Sequence, residues 1–126
     1  MESGVTWDNL HRLHQGVRKY IKSRPETICM TYVPHFYPQG TNLYFIFILK
    51  MMDMPEYRKF HDGVIDAILA NGGPISHHHG VGKPFSKFAA QHLGKEQMDV
   101  LRALKTHFDP NHIMNPGGHL GLDMHL

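Results

Sequence analysis

The feature that most constrains the fold is an unbroken apolar run, LYFIFIL, from Leu43 to Leu49. Its length and its aromatic and β-branched residues predict a β-strand. Alternate side chains of a strand point to opposite faces, and here the residues on both faces are apolar. We therefore expect this strand to be covered on both sides, which requires neighbouring strands, helices or a partner surface.

A second apolar segment, Ile28 to Val33, predicts the strand that pairs with this run. The intervening PHFYPQGTN is rich in turn-forming residues, so we expect an antiparallel pair with a long connection. Apolar residues at helical spacing precede the pair in TWDNLHRLHQGVRKYIKS. Thr6 is the expected N-cap of this helix, and Pro25 ends it.

The remainder of the chain predicts helices and turns. MPEYRKFHDGVIDAILANGG indicates a helix with Pro55 in its first turn and a left-handed cap at residues 71–73. Two further helices are expected from Pro84 and Lys95, followed by a tail of turns. The apolar stripes expected to be buried are Tyr57, Phe60, Val64, Ala67 and Ile68 in the first of these helices and Met98, Leu101, Leu104 and Phe108 in the last. The predicted fold is α+β, a small antiparallel sheet packed against helices, in a single domain over residues 1–126.

Composition narrows the classes of function. A net charge of +2 and the lack of a basic run argue against a nucleic-acid partner. The first residues do not form a signal peptide, and no apolar run reaches about 18 residues, so we expect a soluble, cytoplasmic protein. The single cysteine, Cys29, is more typical of a small core residue than of a nucleophile.

Three consecutive histidines lie in GGPISHHHGVGKPF, from Gly72 to Phe85. Adjacent side chains in an extended loop point to different sides, and no Cys-x-x-Cys or His-Glu-x-x-His pattern accompanies them, so we predict no metal site. The flanking glycines allow a ligand to approach the backbone closely, and imidazoles suit acid–base chemistry near neutral pH. The alternative is a set of three unrelated surface histidines.

Several segments resemble the C-terminal part of alkyldihydroxyacetonephosphate synthase, a flavoprotein of the vanillyl-alcohol-oxidase type. ILANGGPISHHHGVGK resembles the C-terminal signature of the synthase, and YPQGTNLYFIF resembles its strand segment. FDPNHIMNPG resembles the Asp-Pro-x-x-x-x-Asn-Pro-Gly ending of many FAD-linked oxidases. The triple histidine is specific for the synthase branch, whereas the ending is common to the wider superfamily.

The resemblance implies catalytic residues and a reaction. Tyr44 matches the tyrosine proposed as the acid or base that handles the proton at the substrate carbon bearing the acyl ester. His77, His78 and His79 match the triple histidine beside the flavin. The synthase exchanges the fatty acyl group on dihydroxyacetone phosphate for a fatty alcohol, which gives an ether-lipid precursor.

The resemblance also implies binding residues for the cofactor, FAD, and for the substrate. We expect contacts to the cofactor from His78, His79, Gly80 and Asn115. His35 is expected to lie near the small-molecule or lipid substrate. Lys83, Arg24 and Arg58 are more typical of a solvated surface.

An FAD-binding partner is expected because the sequence lacks a segment of its own that would bind the cofactor. Nothing in it resembles a glycine-rich segment that binds the FAD pyrophosphate, so the chain is expected to be a C-terminal cap that needs an FAD-binding N-terminal domain or subunit. Alone, it should bind FAD weakly and catalyse nothing.

Two alternatives to the synthase remain open. Met30 stands where an arginine is expected in synthases, which leaves open an FAD-dependent dehydrogenase or oxidase of 2-hydroxyacids such as D-lactate or glycolate. An alternative of another class is a stand-alone module that binds a ligand or a metal and forms a homodimer through its sheet. A neighbouring reading frame that encodes an FAD-binding half would discriminate against this last alternative.

Overall fold

The computed structural model describes residues 1–50 and 53–122, which fall into a first unit, Met1–His78, and a second unit from His79 onward. The elements of the first unit are β1 (Glu2–Thr6), α1 (Leu10–Ser23), β2 (Ile28–Tyr32), β3 (Gly40–Ile48) and α2 (Met54–Ala70). Those of the second unit are α3 (Lys83–Leu93), α4 (Lys95–Phe108) and a 3-10 turn (His119–Gly121). The predicted α+β class with a small antiparallel sheet is confirmed. No helix in the described ranges is both long and apolar enough to cross a membrane.

The sheet has three strands in the order β1-β3-β2, and both pairings are antiparallel. The predicted pairing of the two apolar strands is confirmed, with the apolar run in the central strand. The sequence analysis missed β1, because ESGVT is short and lacks an apolar alternation. In the register, Tyr44 of β3 lies opposite Glu2 of β1 on one side and Tyr32 of β2 on the other.

The core of the first unit lies between one face of β3 and the two long helices. Its buried members are Leu13, Val17, Ile21, Leu43, Phe45, Phe60, Val64 and Ile68. The residues from α1 recur at a spacing of four, which places them on one side of that helix. Full burial of each such side chain stabilises the fold by about 1.5–3 kcal/mol.

The opposite face of the sheet, called here the open face, is exposed beside β2. Ile46 and Ile48 of β3 are exposed, and so are their partners in the register, Met30 and Ile28 of β2. Within the described residues this end of β3 is therefore covered on one side, and the second cover that we expect would have to be a partner surface. The physical reason is that α1 and α2 both pack on the same face of the sheet.

The ends of the helices follow the sequence signals in part. Asp53 caps α2 by accepting a hydrogen bond from the Glu56 backbone N–H at 2.8 Å. At the other end Gly72 adopts a φ of +76°, and the Gly73 N–H donates to the Ile68 carbonyl, which confirms the predicted left-handed cap. The expected N-cap at Thr6 is wrong, because a 3-10 turn precedes α1 and the Thr6 side chain makes no capping bond.

The predicted apolar stripes hold for α2 better than for α4. In α2, Phe60, Val64 and Ile68 are buried as expected, while Ile65 is buried in place of the exposed Tyr57. In α4 only Met98 is buried. The expected burial of Leu104 and Phe108 is wrong. Within its own unit α4 packs against α3, and this contact leaves both side chains exposed.

Candidate functional site

A buried carboxylate holds the segment that carries the first two histidines. This segment, residues 74–78, follows the C-cap of α2 and is called here the histidine loop. Oε1 of Glu2, a residue only 3% exposed, accepts hydrogen bonds from the Ser76 hydroxyl (3.0 Å), the His77 N–H (2.7 Å) and the His78 N–H (3.0 Å). The Ser3 hydroxyl adds a 2.8 Å bond to the Pro74 carbonyl. The loop is therefore fixed against β1 through its backbone, which leaves the imidazoles to be oriented by other contacts.

Both ring nitrogens of His78 have partners. Nδ1 lies 3.1 Å from the Asn42 side-chain nitrogen, and Nε2 lies 3.0 Å from the Tyr37 hydroxyl. Asn42 belongs to β3 and is fully buried. Two polar side chains therefore fix the plane of the ring, as a residue that transfers protons requires.

Two further imidazoles surround that ring, and together with Tyr37 they form what we call the histidine cluster (His35, Tyr37, His77 and His78). The His77 ring centre lies 4.1 Å from that of His78, and the His35 ring packs edge-on to His78 at 4.5 Å. The expectation that adjacent histidines point to different sides is therefore wrong for this pair. His35 adopts a φ of +59°, a left-handed conformation that costs a non-glycine residue about 1–2 kcal/mol.

A cavity of about 580 Å³ opens beside the histidine cluster, within the first unit. Tyr37, His77 and His78 line it together with backbone from β1 and β3. Gly4 of β1 allows the His77 ring to pack closely on the strand, since a Cβ there would lie 3.0 Å from that ring. The cavity has the size of a site for a small ligand, and a few polar side chains, among them Tyr37 and His78, line its otherwise largely apolar wall.

Tyr44 lies on the same face of β3 as Asn42, two residues further along. Its ring is half buried, with its centre 6.2 Å from that of Tyr32. Glu2, which holds the histidine loop, is its register partner on β1. Tyr44 and His78 thus adjoin the same two residues, Glu2 and Asn42.

The other predicted site residues belong to the second unit. His79 and Gly80 are exposed, and Gly80 has a φ of +71° with open space where a side chain would project. Asn115 is exposed and begins a turn in which its carbonyl accepts from the Gly118 N–H at 3.0 Å. Of the predicted residues, the structure brings His35, His77 and His78 into contact, with Tyr44 on the adjoining strand.

The described residues do not form a metal centre. Among them no group of three or more histidine, cysteine, aspartate or glutamate side chains is arranged to hold an ion. Cys29 is a half-buried residue of β2, and burial raises the pKa of its thiol, which disfavours the reactive thiolate.

Sequence reasoning missed Glu2, Tyr37 and Asn42. Asn42 carried a signal, since an amide at the start of an otherwise apolar strand needs a partner when it is buried. Tyr37 stood inside a segment already singled out. Glu2 carried none, because its contacts to the histidine loop join residues 74 to 76 positions apart.

Comparison with known proteins places residues 1–118 in one family, the C-terminal domain of FAD linked oxidases. Alkyldihydroxyacetonephosphate synthase from Dictyostelium discoideum is 34% identical over 124 residues, which cover 91% of this chain and 20% of that protein. An uncharacterized FAD-linked oxidoreductase, YgcU, from Escherichia coli K12 is 30% identical and covers 88% of the chain and 25% of its own length. A D-lactate dehydrogenase from Anaerostipes hadrus is 36% identical over 80 residues, 60% of this chain and 17% of that protein. The chain thus spans a quarter or less of the length of these relatives.

Proposed function

The chain belongs to the family of C-terminal domains of FAD-linked oxidases, and we propose that it supplies substrate-side acid–base groups to an enzyme similar to alkyldihydroxyacetonephosphate synthase. The reaction would exchange a fatty acyl group on dihydroxyacetone phosphate for a fatty alcohol. The similarity to the Dictyostelium synthase over 91% of the chain supports this substrate class. The observation that carries the proposal is the fixed His78 ring beside the strand that bears Tyr44.

Each residue has a role in this proposal. Tyr44 takes and returns the proton at the substrate carbon that bears the acyl group. His77 and His78 serve as the acid–base pair at the cavity, and His79 is assigned to the same group by the resemblance. His35 contacts the substrate, since its ring packs on His78 at the edge of the cluster.

FAD is the proposed cofactor, delivered by an FAD-binding domain or subunit that acts as the partner of this chain. Two features fit such a group: Gly80 has open space where a side chain would project, and Tyr44 shares the open face of the sheet with exposed apolar residues. His78, His79, Gly80 and Asn115 would hold the cofactor. The acyl-for-alkyl exchange is redox-neutral overall, so FAD, when bound, would act as an electrophile that holds the substrate carbon and not as a net electron acceptor.

A second candidate is an FAD-dependent dehydrogenase or oxidase of a 2-hydroxyacid. Met30 and Ile46 form a register pair beside Tyr44 and are both neutral, so neither of them can pair with a substrate phosphate. The 36% identity to a D-lactate dehydrogenase supports the same alternative. A small hydroxyacid would also fit within about 580 Å³ beside the histidine cluster.

The test uses the protein in which this chain accompanies its FAD-binding half. Tyr44→Phe and His78→Ala should each lower turnover of acyl-dihydroxyacetone phosphate by about 10²–10⁴-fold while FAD stays bound. Tyr57→Phe is the matched control, because Tyr57 is an exposed tyrosine on α2 outside the site. Unchanged turnover in the first two variants would refute the assignment. Turnover of D-lactate or glycolate alone would select the second candidate.

A separate measurement tests whether the chain needs its partner. After incubation with FAD, these 126 residues should elute from gel filtration without a stoichiometric amount of flavin. The reason is that nothing in the sequence resembles a pyrophosphate-binding segment. A yellow complex of one flavin per chain would contradict this expectation.

A further inference from the structure

We infer that Asn42 is a positioning residue that sets the tautomer of His78, so that the neutral ring carries its proton on Nε2. The inference deepens the proposed function and rests on it for its catalytic meaning. Its first support is the contact from the Asn42 side-chain nitrogen to Nδ1 at 3.1 Å. An amide nitrogen can only donate, so Nδ1 must accept and must be unprotonated.

The alternative orientation of the amide is less favourable. Turning the Asn42 side chain by 180° would present its oxygen to Nδ1 and would put the NH₂ group where Oδ1 now lies. That position is fully buried, and Oδ1 meets no hydrogen-bond donor there among residues 1–50 and 53–122. An unpaired buried carbonyl oxygen is tolerated more readily than unpaired buried N–H groups. The observed orientation is therefore the one that a neutral His78 selects.

The tautomer determines what the cavity presents to a ligand. With its proton on Nε2, His78 donates to the Tyr37 hydroxyl, which lies 3.0 Å away. The hydroxyl oxygen is then used as an acceptor, and its own proton is available to point into the cavity that Tyr37 lines. Hydrogen bonds thus run in one direction from Asn42 through His78 to Tyr37. The ligand class that fits is one that offers an acceptor oxygen, such as a carbonyl or a carboxylate.

The backbone contacts make this orientation robust. The Glu2 carboxylate fixes the His78 N–H at 3.0 Å, and the His35 and His77 rings pack on two sides of the imidazole. Rotation of the ring to exchange its two nitrogens would break the bonds to Asn42 and Tyr37 together. The choice of tautomer is therefore left to the amide.

The test is nitrogen NMR of the histidine rings in the ¹⁵N-labelled 126-residue chain, at a pH of about 8 where histidine is neutral. In the wild type, Nδ1 of His78 should show the shift of an unprotonated ring nitrogen and Nε2 that of a protonated one. Asn42→Asp should invert this pattern, because a carboxylate only accepts and requires a proton on Nδ1. Tyr37→Phe should leave the wild-type pattern in place, since Asn42 is unchanged.

A second variant controls for the added charge, and two NMR results would overturn the inference. Gln39→Glu puts the same added charge on the cavity wall without touching His78 and should leave the pattern unchanged. A proton on Nδ1 in the wild type would overturn the inference, and so would an Asn42→Asp chain that keeps it on Nε2. The wild-type spectrum is decisive even if Asn42→Asp fails to fold. Because the readout involves no flavin and no turnover, its failure is distinct from a failure of the Tyr44→Phe test.

Discussion

Glu2 and Asp109 are both buried, and each accepts hydrogen bonds from the backbone of a loop, but the two loops are built over different distances along the chain. In the second unit, Asp109 accepts from the Ile113 and Met114 N–H groups at 3.1 and 3.0 Å. Lys105 pairs with the same carboxylate and donates to the Met114 carbonyl, so every partner lies within nine positions of Lys105. In the first unit, the donors to Glu2 come from 74 to 76 positions away.

Asp109 has a charged partner four positions earlier in the chain, Lys105. The hydrogen bond from the Lys105 ammonium is the main cause that holds the pKa of the Asp109 carboxyl below its usual range, and backbone N–H groups add to it. The donors that the histidine loop offers to Glu2 Oε1 are a neutral hydroxyl and two neutral peptide groups. Asp109 thus completes a local turn with its own cation, whereas Glu2 joins distant segments and brings imidazoles to a strand.

The largest expected effect is the loss of the long-range anchor. Glu2→Ala removes the acceptor of three buried or half-buried donors and should lower the free energy of unfolding of the first unit by about 3 kcal/mol. Glu2→Gln keeps one acceptor oxygen and should lose about 1 kcal/mol. Urea unfolding followed by the fluorescence of Trp7, the single tryptophan and a member of this unit, measures both.

The exposed Glu96 on α4 supplies the control for this experiment. Glu96→Ala removes a carboxylate of the same kind from the solvent-exposed first turn of a helix and should leave the Trp7 transition where it was. A loss below 1 kcal/mol in Glu2→Ala would mean that the histidine loop is held by its packing and not by this carboxylate. The contrast with Asp109 would then disappear.

Sequence reasoning succeeded where the determining contacts are local. The cap at Gly72 and the turns that follow α4 depend on residues a few positions apart, and both were predicted. The pairing of β2 with β3 followed from two apolar segments joined by turn formers. Each of these features leaves a pattern within a short window of sequence.

The site could be predicted only in part, for the same reason. The resemblance drew attention to Tyr44 and the triple histidine, but not to the residues that orient them. Glu2 and Asn42 meet His78 through the folding of three strands and a loop, and no short pattern reports such a meeting. Even the adjacent rings of His77 and His78 were expected to diverge, because the extended-loop geometry was assumed for a segment that is bent around a carboxylate.

An intermediate effect is expected from acid on the Asp109 turn. The pKa of Asp109 is lowered in the folded chain, so its contribution to stability is fully present above the unfolded value of about 4 and is lost as the pH falls through the lower folded value. Asp109→Asn should remove this loss, because the amide does not titrate. Hydrogen exchange of the Ile113 and Met114 amides between neutral and acidic pH measures it. Equal pH dependence in wild type and variant would contradict the role assigned to the carboxylate.

The smallest effect on stability is expected for substitution of Asp99. This prediction tests whether a lysine partner alone makes a carboxylate stabilising. Like Asp109, Asp99 has a lysine four positions earlier, and the hydrogen bond from Lys95 is the first cause that lowers the pKa of its carboxyl. Its side chain is nevertheless 47% exposed, and its ion-pair partners are the flexible side chains of Lys95 and Arg102. Exposed pairs of this kind contribute little to stability. Asp99→Asn should therefore leave the thermal midpoint and the exchange of the Ile113 amide unchanged. NMR titration of the wild type is nevertheless expected to show a lowered pKa for the Asp99 carboxyl. A loss in Asp99→Asn as large as that in Asp109→Asn would show that the lysine, and not the burial of loop N–H groups against the carboxylate, is what stabilises the second unit.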